Sequence, residues 1–245
     1  MQVLPELWMD IVAIIALSIL LSLLAYKFNL LTKSGCVAAA AMGLAIGFFG
    51  SLSWLILLIV FTFIGFVATL IGLSKKREKG LQEGHHGERT YKNVLGVALP
   101  CIVIAVANLV TNNEHYHLMM IGYIAAIAVA AADTAASELG TKDENVYLIT
   151  TFRRVPPGTD GGISLFGTFV SILASVAVSF VGWVVINHNL DIQMVIPMIA
   201  GIIGCMLDSV VGATIETKGY ISKYGNNALT GLLGAVIAIL IAHFL

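Results

Sequence analysis

Eight apolar runs, each near the length of a membrane-crossing helix, take up most of this chain: residues 7–28, 34–50, 52–73, 93–110, 117–138, 161–186, 192–216 and 226–245. A helix needs about 20 apolar residues to cross the hydrocarbon layer, where every backbone N–H and C=O must be satisfied within the segment. The second run is short and rich in Ala and Gly (Ala38-Ala39-Ala40-Ala41-Met42-Gly43), so seven full crossings are also open. A soluble fold is excluded by composition. Only 11% of the 245 residues are charged, 58% are hydrophobic and the mean hydropathy is +0.95, whereas soluble domains carry about 25% charged residues. The expected fold is all-α, a single integral membrane domain over 1–245 with seven to eight transmembrane helices.

The loops give the orientation. With eight spans and the N-terminus outside, the inner segments are 29–33, 74–92, 139–160 and 217–225. All 13 Lys and Arg residues lie in or beside them, and loops such as Asn112-Asn113-Glu114-His115 and Asn187-His188-Asn189 carry none. Positive residues mark the cytoplasmic side, so 74–92 and 139–160 are expected to be the larger cytoplasmic loops. Within the first, Lys75-Lys76-Arg77-Glu78-Lys79 reads as a topogenic, headgroup-binding stretch, and His85 and His86 as solvated side chains rather than metal ligands. The first ten residues have no Lys or Arg, so the first run is expected to be a retained anchor rather than a signal peptide. A net charge of −1 argues against nucleic acid as a partner. Cys36, Cys101 and Cys205 lie far apart in apolar runs and read as packed thiols.

Three helix starts share one spacing: Gly87 with Asn93 and Gly96, Gly158 with Ser164 and Gly167, and Gly225 with Gly231 and Gly234. The offsets match one helical hairpin plus its loop, and all three starts leave the same face. Parallel helical-hairpin repeats are therefore expected.

Charges inside a bilayer are costly and need a reason. The fifth run ends in Asp133-Thr134-Ala-Ala-Ser137-Glu138, the seventh in Asp208-Ser209-Val-Val-Gly212-Ala-Thr214-Ile-Glu216. At 3.6 residues per turn, Gly122, Ala126, Ala130, Asp133, Ser137 and Gly140 share a face. Gly201, Gly204, Asp208 and Gly212 share another, with Glu216 near it. Such small-residue faces let helices approach closely, which would bring Asp133 and Asp208 together. They would lie roughly 8 Å and 12 Å inside the cytoplasmic ends of their spans. Glu138, five residues past Asp133, points elsewhere from a regular helix.

Between these helices runs Arg153-Arg154-Val-Pro-Pro-Gly158-Thr159-Asp160-Gly161-Gly162-Ile-Ser164. The prolines stop the incoming chain, Thr159 or Asp160 can cap the next helix, and the opening turn offers free N–H groups to an anion. Two arginines suit phosphate oxygens, and Arg89 and Lys92 lie at the same surface. Carboxylates able to hold Mg²⁺, together with cations and backbone donors for phosphate, form the inventory of phosphoryl transfer. No Walker A sequence occurs, so a nucleotide site would be of another kind.

The stretches Ala132–Gly140, Val155–Thr168 and Leu207–Thr214 resemble the phytyl-phosphate kinase family, which also contains transmembrane protein 19. The likeness covers about residues 30–245. It implies an enzyme converting an isoprenoid monophosphate (phytyl, geranylgeranyl or farnesyl phosphate) to the diphosphate, with CTP as phosphoryl donor and a divalent metal. By position it assigns roles to Asp133, Thr134, Ser137, Glu138, Gly158, Thr159, Asp160, Ser164, Asp208, Ser209, Asn226 and Asn227. In the fourth span Arg89 is kept, Asn93 stands for the family's Gln, and Gly96-Val97 replaces its Ala-Asn.

These readings combine into one expectation. Asp133 and Asp208, with Glu138 and Glu216, hold Mg²⁺, and Arg89, Lys92, Arg153 and Arg154 neutralise phosphates. The 158–162 loop, with Gly161 and Gly162, donates N–H groups, and Asn93, Thr134, Ser137, Ser209, Asn226 and Asn227 complete the substrate contacts. No general base is assigned, because an ionised phosphate oxygen can attack directly. The expected partners are a prenyl monophosphate, a nucleoside triphosphate and the lipid bilayer, with self-association into a homo-oligomer left open. The expected location is a prokaryotic cell membrane, with the active site facing the cytoplasm. The rival is an H⁺- or cation-coupled transporter using the same acids, although its site would be expected near the midplane.

The one-sided basic residues make the orientation testable. Cysteine introduced at Lys79 or Lys142 should resist an impermeant thiol reagent in intact cells, and cysteine at Asn113 or His188 should react. Labelling at Lys142 but not at Asn113 would reverse the topology.

Overall fold

A computed structural model describes residues 4–82 and 87–245, so His85 and His86 lie outside the described residues. The helices are α1 (Leu4–Lys27), α2 (Lys33–Phe49), α3 (Leu52–Glu78), α4 (Tyr91–Val110), α5 (Tyr116–Leu139), α6 (Leu165–Gly182), α7 (Val195–Val211) and α8 (Lys223–Phe244). Among the described residues seven helical stretches are long and apolar enough to cross a membrane, and α2 is the shorter exception. Its 17 residues rise roughly 25 Å, somewhat less than the ~30 Å hydrocarbon layer.

α5 is the axis of the molecule. It touches α3, α4, α6, α7 and α8, and 78% of its most apolar stretch is buried, against 44% or less for the other spans. Its alanines and glycines permit this, because they let neighbours pack against its backbone. Ile239 of α8 lies on Gly122, and Val129 of α5 fills the notches left by Gly204 and Gly234. Large apolar residues such as Leu20, Phe63, Val103, Phe169 and Leu240 face outward, as expected of a surface solvated by lipid.

The element ends carrying the basic residues converge. Gly72 of α3 lies against the Glu138 backbone, Gly96 of α4 against Tyr224, and Gly140 against Gly167. The loop from α5 to α6 adds a small antiparallel sheet that the apolar pattern did not signal: β1 (Val146–Leu148) runs between β2 (Arg154–Val155) and β3 (Gly162–Ile163).

Three expectations are corrected here. The helix after the Pro-Pro segment begins at Leu165, capped by Ser164, whose hydroxyl accepts from Gly167 N at 3.0 Å. Thr159 therefore does not cap; its hydroxyl donates to Pro156 O at 2.7 Å. The shared glycine spacing does not mark equivalent helix starts either, since Gly87 and Gly158 precede their helices and Gly225 lies inside α8. What recurs is the cap. Thr32, Ser164 and Ser222 each accept from the N–H of a glycine three residues on, and in α4 the side-chain Oδ1 of Asn93 accepts from Thr90 N. Finally, α3 runs five residues beyond the apolar run to Glu78. Lys75, Lys76 and Arg77 suit the negative end of its dipole.

The close contact of α3 with α5 should be sensitive to one methyl group. Gly72→Ala would drive Cβ into the Glu138 carbonyl and should cost about 1–3 kcal/mol by overpacking. Gly65→Ala, whose nearest neighbour is Thr134 Cγ2 at 3.6 Å, should be neutral or slightly stabilising. Thermal unfolding in one detergent compares them.

Candidate active site

A polar cavity of about 200 Å³ opens where α5, α6, α7 and α8 meet the β3 loop at the basic end. Its wall includes Asp133 and Ser137 from α5, and Asp208 and Ser209 from α7. Glu216, Asn226, Asn227 and the loop residues Gly158 through Ser164 also line it. Most of the residues expected to act together are thus brought together.

The acids are organised around Asn226, which is almost fully buried. Its Nδ2 donates to Asp208 Oδ1 at 3.2 Å, to the Asp208 carbonyl at 3.1 Å and to Glu216 Oε2 at 3.1 Å. Thr230, one turn along α8, donates to Asp208 Oδ2 at 2.9 Å. A continuous α-helix would put Glu216 about 80° around from Asp208. Instead residues 212–216 form a π turn, with Thr217 N bonded to Gly212 O. The wider turn rotates the chain less per residue and returns Glu216 to the cavity side.

The loop is pressed against this end of α7. Gly161 adopts φ +75°, and a side chain there would strike Ala213 and the Ser209 carbonyl. Gly158, at φ +85°, is covered by Leu81. Glycine at both positions satisfies a left-handed backbone and a close approach at once.

Glu138 lies elsewhere. It is buried, with Oε1 accepting from Arg89 at 3.2 Å and Oε2 at 2.9 Å from Lys76 Nζ, off the hydrogen-bonding angle. Arg89 also donates to Thr69 at 3.1 Å. A carboxylate engaged by two cations is a poor metal ligand, so Glu138 is removed from the metal set. Thr134 is buried behind the cavity wall, near Gly65.

The expected phosphate cations are also relocated. Arg153 and Arg154 are exposed and neither lines the polar cavity; Arg154 donates to the Glu144 carbonyl at 3.3 Å. Lys92 is exposed, and Arg89 and Asn93 line a separate apolar cavity. Among the described residues, the cations lining the polar cavity are Lys76 and Lys223. Lys76 was hidden in a basic cluster that reads as topogenic, and only its helical phase on the extended α3 could have singled it out. Thr230 had a signal of its own, one turn after Asn226. At the cavity's edge Lys79 joins Glu144 at 2.7 Å and the Thr141 carbonyl at 2.8 Å, holding the Glu144 carboxyl below its ordinary range. That contribution is present at neutral pH and fades as acid protonates Glu144; on so exposed a pair it is small.

Among the described residues no three Asp, Glu, His or Cys side chains form a metal cage by themselves. Mg²⁺ needs no such cage; it takes one or two carboxylates, substrate phosphates and water. Asp133, Asp208 and Glu216 offer hard oxygens on one cavity, and Asn226 Oδ1 is a buried oxygen there without a partner. The donor set fits.

The profile of the family described as Integral membrane protein DUF92 matches residues 16–239. This chain belongs to that family. An uncharacterized membrane protein of Methanocaldococcus jannaschii is 34% identical over 243 residues, covering 98% of this chain and 96% of its own. One from Synechocystis is 32% identical, covering 95% and 90%. Protein VTE6, chloroplastic, of Arabidopsis thaliana is 30% identical over 224 residues, covering 88% of this chain and 66% of its own. No solved structure matches the chain. The DUF92 match takes in all the residues that line the polar cavity, from Lys76 to Asn227.

The Lys76–Glu138 pair gives a stability test. Lys76→Ala should destabilise the protein by about 3 kcal/mol, the low end for breaking a buried pair, because Arg89 still partners Glu138. Arg154→Ala should stay within about 0.5 kcal/mol, as for an ordinary surface change. Equal melting temperatures would show that Lys76 is solvated.

Proposed function

We propose that this protein is a prenyl-phosphate kinase. It transfers the γ-phosphoryl group of a nucleoside triphosphate, CTP by the motif resemblance, to an isoprenoid monophosphate at the cytoplasmic membrane surface. The observation that carries the reading is the polar cavity itself. It gathers four carboxylates, two lysines and a glycine loop at one end of a membrane bundle, the parts that phosphoryl transfer requires. Membership in a family with a plant chloroplast relative and the resemblance of the motifs to phytyl-phosphate kinases support the choice of acceptor.

In this reading a terminal oxygen of the prenyl monophosphate attacks the γ-phosphorus. The bond from that phosphorus to the β–γ bridging oxygen breaks, CDP leaves and the prenyl diphosphate remains. The attacking oxygen is already ionised, so the protein's task is position and charge. Asp133 and Asp208 would hold Mg²⁺, with Glu216 beside them on the cavity wall; when bound, the ion neutralises the donor's phosphate oxygens. Lys76 and Lys223 offset phosphate charge, Asn226 and Thr230 fix the Asp208 carboxylate, and the Gly158–Gly162 segment shapes the wall against which phosphates lie.

Asp208→Asn tests this reading against a transporter. The amide keeps the shape and can still accept from Thr230, but it is a weaker ligand for a hard cation. Wild type should transfer phosphate from CTP to farnesyl phosphate in a Mg²⁺-dependent reaction. Asp208→Asn should melt normally and lose roughly a hundredfold or more in rate, by analogy with removal of one oxyanion donor. Full turnover by the folded variant would remove Asp208 from the metal site. Absence of turnover by wild type with every nucleoside triphosphate would sink the kinase reading.

A further inference from the structure

A second cavity, of about 270 Å³, lies between α1, α2, α3 and α4, and its walls are almost wholly apolar: Leu21, Leu24, Phe28, Leu58, Phe66 and Val97 are representative. Among the described residues lining it, one is charged, Arg89. Arg89 sits at the end where α1 and α3 finish and α2 and α4 start. Its N–H donates to Leu30 O and its carbonyl accepts from Thr32 N, both at 3.0 Å, so the backbone is locked to the α1–α2 turn. Its side chain turns inward to Glu138. Glu138 answers two cations, Arg89 on the apolar cavity and Lys76 on the polar one. One carboxylate is shared between two cations, which leaves Arg89 able to attract a further anion. The two cavities thus meet at one three-residue seam.

We infer that the α1–α4 cavity binds the hydrocarbon chain of a single-chain isoprenoid monophosphate, with its phosphate on Arg89 at the seam facing the polar cavity. The choice of occupant rests on the kinase reading; the cavity and its single cation do not. Depth sets the chain length. The lining runs along α1 from Leu17 to Phe28, about 16 Å at the helical rise. At the roughly 1.2 Å per atom of an extended chain this takes about a dozen chain atoms, the main-chain length of a farnesyl group. A nucleotide, polar throughout, belongs on the other side of the seam.

The test is photolabelling of the purified full-length protein with farnesyl monophosphate bearing a terminal diazirine, mapped by peptide mass spectrometry. Label should fall on α1, α3 or α4 residues lining the cavity. Farnesyl phosphate should compete, and farnesol, inorganic phosphate and lysophosphatidic acid should compete at least tenfold less well. Geranyl phosphate should also be at least tenfold weaker, and geranylgeranyl phosphate about equal. Arg89→Gln should weaken competition roughly tenfold to a hundredfold, the span for a hydrogen bond to a charged group. Val97→Trp should block labelling while Mg²⁺-CTP binding persists. Label on α5–α8, equal competition by farnesol or lysophosphatidic acid, or a further tenfold gain with geranylgeranyl phosphate would overturn the assignment; the map on unaltered protein decides even if a variant fails to fold. Label in the α1–α4 cavity without phosphoryl transfer would keep the site and remove the kinase reading. Transfer with label elsewhere would do the reverse.

Discussion

One buried carboxylate carries much of this architecture. Glu138 lies at the end of α5, where Lys76 arrives from α3 and Arg89 from the segment leading into α4. A single acid with two cations ties three parts of the bundle at the point where the apolar interior gives way to the loops. Such a cluster is worth less as net stability than as constraint, because desolvation consumes much of the Coulombic gain. Its effect here is positional. It divides the basic end into a polar cavity around Asp133 and Asp208 and an apolar cavity behind Arg89.

Close packing around α5 does the rest. Alanine and glycine keep its surface flat, so α7 and α8 settle against it at Val129. Asp208 then faces the same cavity as Asp133 and takes hydrogen bonds from Asn226 and Thr230. The π turn after α7 adds Glu216, and Gly161 closes the loop over Ser209 and Ala213. Each device is local, and together they put acids, lysines and a glycine loop on one small cavity.

A membrane setting gives the division its sense. An amphiphile cannot leave the bilayer cheaply, and a nucleotide cannot enter it. In the proposed reading, an enzyme joining them needs an apolar slot and a polar mouth side by side, with charge at the boundary, and the two cavities that adjoin at Glu138 suit that requirement.

The sequence by itself determined the bundle, because apolar runs of membrane length permit little else. It also singled out Asp133 and Asp208, because a charge inside a bilayer is costly enough to need a reason, and both line one cavity. Their shared cavity was legible from the small-residue faces of the helices that carry them. The partners of the charges were not legible. Arg153 and Arg154 look like a phosphate clamp by adjacency, yet both are exposed where the chain enters the β-ribbon and neither reaches the polar cavity. Lys76 looks topogenic, yet five more residues of helix carry it inside to Glu138. Helical phase past the end of an apolar run, and pairing between strands of two or three residues, depend on contacts distant in sequence. Only the tertiary structure could decide which cation met which carboxylate.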